Sequence, residues 1–154
     1  MNNNLMIKLV QLLFCLSLGL STASVADTTL KPFHPDSLKQ IENVRKGQAF
    51  ISILWSIDCP PCFKELALLQ QLQGELKEQF PKANVVLIAT DDEQYRDSVK
   101  QTLAEFQLEA MDNWIFTDST PERLRYSIDP TWYGELPRAY FYDKSHQRYS
   151  HSGS

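Results

Sequence analysis

The chain has 154 residues, 43% of them hydrophobic and 22% charged, with 15 basic and 19 acidic side chains and a net charge of −4. That is the length of a single domain and a globular composition, which excludes a disordered, collagen-like or low-complexity chain. The acidic balance excludes a basic footprint for nucleic acid, three cysteines are too few for a disulfide scaffold, and no run of about 18 uncharged apolar residues marks an ordinary membrane-spanning helix.

Residues 1–26 read as an address. Lys8 is a positive start, Leu9 to Leu20 is apolar, and Ser24-Val25-Ala26 sets small residues before a cut ahead of Asp27. This is the three-part pattern of a secretory signal peptide; left uncleaved, the same segment is a weak membrane anchor. Phe14 is too bulky to precede a lipid-bearing cysteine, so Cys15 is expected to leave with the signal. Residues 27–154 then form the mature domain, with 14 basic and 19 acidic side chains and only Cys59 and Cys62. A lone cysteine pair in an oxidising compartment, the periplasm for a bacterial source, forms a disulfide or exchanges one.

From Asp27 onward strands and helices alternate. Asp27 to Pro35 is a lead-in with room for a short strand. Asp36 or Ser37 can cap a helix carrying Leu38, Ile41 and Val44, ended by Lys46-Gly47. Ala49 to Trp55 is a near-continuous apolar run, suited to a strand buried on both faces. A loop delivers Cys59-Pro60-Pro61-Cys62. From Phe63 the period becomes helical through Leu66, Leu69, Leu72 and Leu76 to Phe80, where Pro81 stops it.

Asn84 to Ala89 is a second buried strand. Asp91 or Asp92 starts a helix with Tyr95, Val99, Leu103 and Phe106 on one face; the acidic run Asp91-Asp92-Glu93 lacks the loop pattern of a calcium site. Trp114 to Phe116 is a short strand. Ser119-Thr120-Pro121-Glu122 carries the marks of a helix start. Arg138 to Tyr142 is a strand, and Gln147 to Ser150 can return beside it across Asp143-Lys144. Apolar strands separated by helices predict an α/β fold built from βαβ units, with parallel strands in its sheet. His34, His146 and His151 lie in polar contexts and read as surface residues.

The chemistry sits at the strand-to-helix junction. Two cysteines one turn apart at a helix start let the first sulfur face unpaired N–H groups and the positive end of the helix dipole, which stabilise a thiolate. Cys59 would attack a disulfide and Cys62 would resolve the mixed disulfide. Pro60 and Pro61 carry no N–H, leaving the Cys62 amide as the donor to the Cys59 sulfur. An inert disulfide is a poor use of so short a loop. A structural zinc site needs four ligands, and no second C-x-x-C or H-x-x-x-H occurs.

The stretch from Phe50 to Leu69, with Trp55 four residues before Cys59, resembles the active-site segment of thioredoxin-like proteins, and more narrowly the TlpA-type disulfide reductases of the bacterial envelope. Leu136-Pro137 stands where that family places its cis-proline loop. Glu65 matches the acid of C-x-x-C-x-x-E, and 91–116 fits the insertion between central strands. The resemblance covers roughly residues 33–152. It implies a thioredoxin-like fold, a central mixed sheet flanked by helices. Departures are Asp58 where an aromatic is usual, Ala67 where proline is common, and Ile53 in place of the buried acid of thioredoxins. The chain also ends at Ser154, soon after the last strand, where the family adds a final helix; it is either short by nature or a piece of a longer chain.

The expected activity is thiol–disulfide exchange by an exported, monomeric reductase. Cys59 is the nucleophile and Cys62 resolves. Glu65 assists proton transfer as a general base, and Pro137 holds the substrate strand. Trp55, Pro60, Pro61 and Leu136 shape the substrate surface, with Trp132 and Tyr133 as further aromatic candidates. No cofactor beyond the cysteine pair and no metal are implied. The resemblance implies cysteine pairs of exported proteins as partners, of the apo-cytochrome c or copper-site maturation type, and a membrane thiol–disulfide electron donor. An oxidant or isomerase of the same fold, or a Cu(I) metallochaperone using both thiolates, are the alternatives.

Overall fold

Every side chain of the strand Phe50–Trp55 except Ile51 is buried, because helices cover both faces of the sheet at this strand. The computed structural model describes residues 30–79, 84–117 and 120–153, so the signal segment 1–26 with Cys15, the helix stop at Phe80-Pro81 and the capping residue Ser119 lie outside the described residues. Along the chain the elements are β1 (Lys31–Phe33), α1 (Ser37–Val44), β2 (Phe50–Trp55), α2 (Pro60–Gln79) and β3 (Asn84–Ala89). A 3-10 turn (Glu93–Tyr95) leads into α3 (Arg96–Glu105), followed by β4 (Asp112–Phe116), α4 (Pro121–Ile128), β5 (Arg138–Tyr142) and β6 (Arg148–Ser152). The six strands form one mixed sheet in the order β1-β4-β3-β2-β5-β6; β1, β4, β3 and β2 pair in parallel, while β5 and β6 join antiparallel.

The period of two along the strands sorts the core into two layers. Phe50 and Leu54 of β2 and Val86 and Ile88 of β3 face Leu38 and Ile41 of α1 and Leu124 and Ile128 of α4. Ile53, Trp55, Leu87 and Ala89 face Leu66 and Leu69 of α2 and Val99 and Leu103 of α3, in a cluster that also holds Cys59 and Cys62. Phe63 of α2 stacks on Phe106, tying the two helices of that layer together.

The elements depart from the expected boundaries in instructive places. α2 begins at Pro60 and not at Phe63, since proline suits a first helical turn that has no use for its missing N–H. Val44, spaced by three from Ile41 like Leu38, is 74% exposed: each step of three residues falls about 60° short of a full turn, and two steps carry it off the buried stripe. Tyr95 is exposed, because the turn Glu93–Tyr95 winds more tightly than the helix it precedes. The last strand starts at Arg148, one residue late, because the Asp143 carboxylate accepts the Ser145 N–H, the Ser145 hydroxyl and the Gln147 N–H and organises a longer turn. His146, expected at the surface, is half-buried in that turn, edge-on to Phe50 and Tyr142 with Nε2 3.1 Å from the Arg45 carbonyl.

The loop 129–137 that links α4 to β5 is braced from within. Asp129 accepts the Thr131 hydroxyl at 2.7 Å, the Thr131 N–H at 2.9 Å and the Tyr140 hydroxyl at 3.0 Å, with Arg138 and Arg148 beside it at 3.4 and 3.7 Å. Its carbonyl accepts the Trp132 N–H, and the Trp132 indole N–H closes the loop onto the Glu135 carbonyl at 2.9 Å. Gly134, at φ +100°, lies flat against the Arg125 side chain, where a Cβ would sit 3.3 Å from Arg125 Cδ.

Burial raises the Asp129 carboxyl, but the Thr131 and Tyr140 hydrogen bonds and the Arg148 charge outweigh it and bring it down to about 2. A carboxyl lowered in the folded state stabilises above its unfolded value and loses that contribution as pH falls through the folded one. Asp129→Asn should therefore destabilise by about 1–2 kcal/mol at pH 7, allowing for screening, and the gap to the parent should close between about pH 4 and pH 2 in denaturant titrations. Two adjacent aromatics give a second contrast: Trp132 is 5% exposed and Tyr133 94%. Trp132→Ala should lower the unfolding free energy by about 3–5 kcal/mol, and Tyr133→Ala should leave the urea midpoint within error.

Candidate active site

Three chain segments meet at one end of the sheet because of how β2 is paired. β3 runs parallel to it, with Trp55 opposite Ala89, so both strands end together. β5 runs antiparallel, with Leu54 opposite Arg138, so the residue before β5, Pro137, continues the register opposite Trp55. The β2–α2 loop, the exit of β3 and the entry of β5 are thereby neighbours. Thr90 locks the first two: its N–H and its hydroxyl both donate to the Trp55 carbonyl, at 2.9 and 3.3 Å.

Cys59 immediately precedes α2 and is bonded to Cys62, with Cα atoms 5.3 Å apart. Cys62 is fully buried and Cys59 is 8% exposed, so the first sulfur is the one nearer solvent. The Cys62 N–H donates to Cys59 Sγ at 3.3 Å and to the Cys59 carbonyl at 2.9 Å. That is the donor left by two prolines, and it lies where a thiolate would form. The helix N-terminus adds its dipole at the same atom.

Pro60 is exposed and Pro61 half-buried on the first turn, and Glu65 is half-buried one turn beyond Cys62. Leu136–Pro137 is a cis bond. Leu136 packs against both core clusters, one of which contains the two cysteines, and the Pro137 carbonyl accepts the Gly153 N–H at 3.1 Å. Cys59, Cys62, Pro60, Pro61, Leu136 and Pro137 thus share one end of the sheet.

Of the aromatic candidates for the substrate surface, for each of which core packing is the equal alternative, two are core. Trp55 is fully buried and belongs to the apolar cluster that holds the cysteines, so it packs beneath the pair and cannot touch an incoming chain. Trp132 is likewise core, held by its indole bond to Glu135; Tyr133 alone of those two faces solvent.

The site also contains an acid that the sequence placed elsewhere. Asp91, read as a helix cap, is buried, and its carboxylate accepts the Ser56 hydroxyl at 2.8 Å and the Ile57 N–H at 3.2 Å. Burial pushes its carboxyl above the usual range, the Ser56 and Ile57 hydrogen bonds pull it back, and the Asp58 carboxylate adds to the rise. The nearest sequence signal was a polar Ser56 one residue beyond one buried strand and a polar Asp91 two residues beyond another. Nothing along the chain joins the two.

No family model matches this chain, and no curated protein does. Solved structures do. A secreted disulfide oxidoreductase of Mycobacterium tuberculosis, described as homologous to E. coli DsbE, is 16% identical over 73% of this chain and 74% of that one, with a TM-score of 0.53. StoA of Bacillus subtilis is 20% identical over 70% and 75%, at 0.51. A secreted thiol-disulfide isomerase of Corynebacterium glutamicum is 22% identical over 73% and 63%, at 0.53. At these identities the likeness is one of architecture: with its mixed sheet, its helices on both faces and its cysteine pair at the start of α2, this chain has the thioredoxin-like fold.

Proposed function

We propose that this chain is an exported thiol–disulfide oxidoreductase that reduces cysteine pairs in other exported proteins. The observation that carries this reading is the Cys59–Cys62 pair at the start of α2, with the Cys62 amide directed at the Cys59 sulfur. Solved structures of the same fold described as disulfide oxidoreductases and a thiol-disulfide isomerase support it.

In the reduced protein the Cys59 thiolate attacks one sulfur of a substrate disulfide. A Cys59–substrate bond forms, the substrate S–S bond breaks, and the substrate's other sulfur leaves as a thiolate. Cys62, losing its proton, then attacks the Cys59 sulfur, closes the internal disulfide and expels the second substrate thiolate. Two electrons pass to the substrate, whose two thiolates take up two protons. Glu65, one turn beyond Cys62, is the proposed acceptor of the Cys62 proton. Leu136, ahead of Pro137, offers backbone groups to an extended substrate chain, and exposed Tyr133 stands on the same loop.

The direction of electron flow rests on Cys59's neighbours. Two prolines withhold donors from the thiolate, and the exposed Asp58 carboxylate opposes it, so the reduced form is the less stable partner. Export is supported by the signal pattern of 1–26, and the Mycobacterium and Corynebacterium structures are described as secreted. A membrane thiol donor would return the pair to its reduced state, and substrates of the apo-cytochrome c or copper-site type fit a reductase.

A Cys62→Ser variant should accumulate a mixed disulfide through Cys59 that mass spectrometry of the captured protein identifies; absence of any Cys59 adduct rejects the exchange activity. The equilibrium with glutathione should place the parent well below the strong periplasmic oxidants, and Asp58→Asn should make it more oxidising. A parent potential near about −120 mV reverses the assigned direction. Glu65→Gln should slow release of the mixed disulfide and leave its formation unchanged; equal effects on both steps remove Glu65 from the chemistry.

A further inference from the structure

The loop between β2 and α2 is tied to the segment just beyond β3 by a closed set of hydrogen bonds. Asp91, at the exit of β3, accepts the Ser56 hydroxyl at 2.8 Å through Oδ1, and the Ile57 N–H at 3.3 Å through Oδ1 and 3.2 Å through Oδ2. The same Ser56 hydroxyl accepts the Asp58 N–H at 3.1 Å, and the Ser56 carbonyl accepts the Cys59 N–H at 3.2 Å. The four donors from the Ser56 hydroxyl to the Cys59 amide therefore all end on Asp91 or on Ser56. Asp91 itself is 8% exposed, and its carboxylate is met by the loop's own donors. A buried carboxylate needs hydrogen-bond donors, and here the loop supplies them, so the loop and the carboxylate stabilise one another.

This geometry bears on Cys59, the last residue of the loop. Its sulfur must lie against the Cys62 amide, where it is observed at 3.3 Å, and must be reachable by the Cys62 sulfur when the mixed disulfide is resolved. α2 fixes Cys62, as part of a long helix packed on the core. Cys59 is held on one side by the first turn of α2, where its carbonyl accepts the Cys62 N–H at 2.9 Å, and on the other by residues 56–58. We infer that Asp91 is a positioning residue for thiol–disulfide exchange: through Ser56 and Ile57 it holds the loop that presents Cys59 to Cys62 and to a substrate disulfide. The inference rests on the proposed exchange activity and adds to it a residue remote in sequence, just beyond the end of β3, that reaches Cys59 through this loop.

Asp91→Asn and Asp91→Ala separate shape from charge. Asn keeps the Oδ1 that receives the Ser56 hydroxyl at 2.8 Å and the Ile57 N–H at 3.3 Å and loses only the Oδ2 acceptor; Ala removes every acceptor. The full chain, reduced and then mixed with oxidised glutathione, forms a Cys59–glutathione disulfide that Cys62 displaces, and rapid acid quenching with mass spectrometry reads the rate of that closure. Asp91→Ala should slow closure by between about 5-fold and about 100-fold, as expected when one reacting group loses its placement, and Asp91→Asn should stay within about threefold of the parent. Ser56→Ala, which removes one donor to Asp91 and the acceptor of the Asp58 amide, should slow closure in the same direction. A merely structural role would lower the unfolding midpoint without this pattern of loss in Ala and rescue in Asn.

Closure at the parental rate in Asp91→Ala overturns the inference, as does equal slowing in Asp91→Asn and Asp91→Ala, which would place the effect in the charge. Should Asp91→Ala fail to fold, parental closure in Ser56→Ala overturns it in the same way. A parent that forms no Cys59–glutathione adduct rejects the exchange activity itself and this inference with it. A parent that closes normally keeps the activity whatever the Asp91 variants do.

Discussion

The end of β2 is paired on both sides, and the arrangement of the site depends on that pairing. A central strand with a parallel neighbour at one flank and an antiparallel neighbour at the other brings an exit, an exit and an entry to one point. The sheet order β1-β4-β3-β2-β5-β6 follows from it: parallel strands stack outward from β2 on one side, and the β5–β6 hairpin closes the other. Parallel strands must be reconnected by helices, and those helices bury both faces. The cysteine pair then inherits a helix N-terminus on a rigid base and a proline loop beside it.

At the mouth of the β2–α2 loop the charged groups are two carboxylates, Asp58 and Asp91. Ile53, which stands where a thioredoxin keeps its buried acid, is packed among Leu66, Leu87 and the cysteines. The buried acid of this chain comes instead from the exit of β3 and is satisfied by the loop's own donors. Asp58 lies on the same loop and faces solvent, and its charge is felt by Asp91. With prolines at 60 and 61, the Cys59 sulfur has a single amide donor and the helix dipole in its favour.

On the opposite flank the chain invests its cations. Arg138 lies between Asp129 and Glu135, and it donates to the Ser152 hydroxyl at 2.6 Å. Arg148 donates to the Ile128 carbonyl at 2.6 Å and lies over the Tyr140 ring. The Arg138 contacts join the end of α4, the start of β5 and the end of β6 around Leu136 and Pro137, and Arg148 ties the start of β6 to the end of α4. Networks that share members of this kind hold position better than isolated surface pairs, because each side chain is already restrained by another contact.

What the amino-acid sequence determined by itself is local. The switch from an apolar run of seven residues to a helical period, with two prolines between cysteines three apart, identifies a strand, a helix start and a redox pair without any long-range contact. The Cys62 amide as donor to Cys59 followed from the absence of N–H groups on Pro60 and Pro61. The tertiary structure decided which of several similar residues face the site. Trp55 and Trp132 are core while Tyr133 is surface, a distinction set by which layer closes over each. Asp91 carried the pattern of a helix cap, and its partner Ser56 is 35 positions away. Only the parallel pairing of β2 with β3 brings the two strand ends together, and a period along one chain does not record the register between two strands.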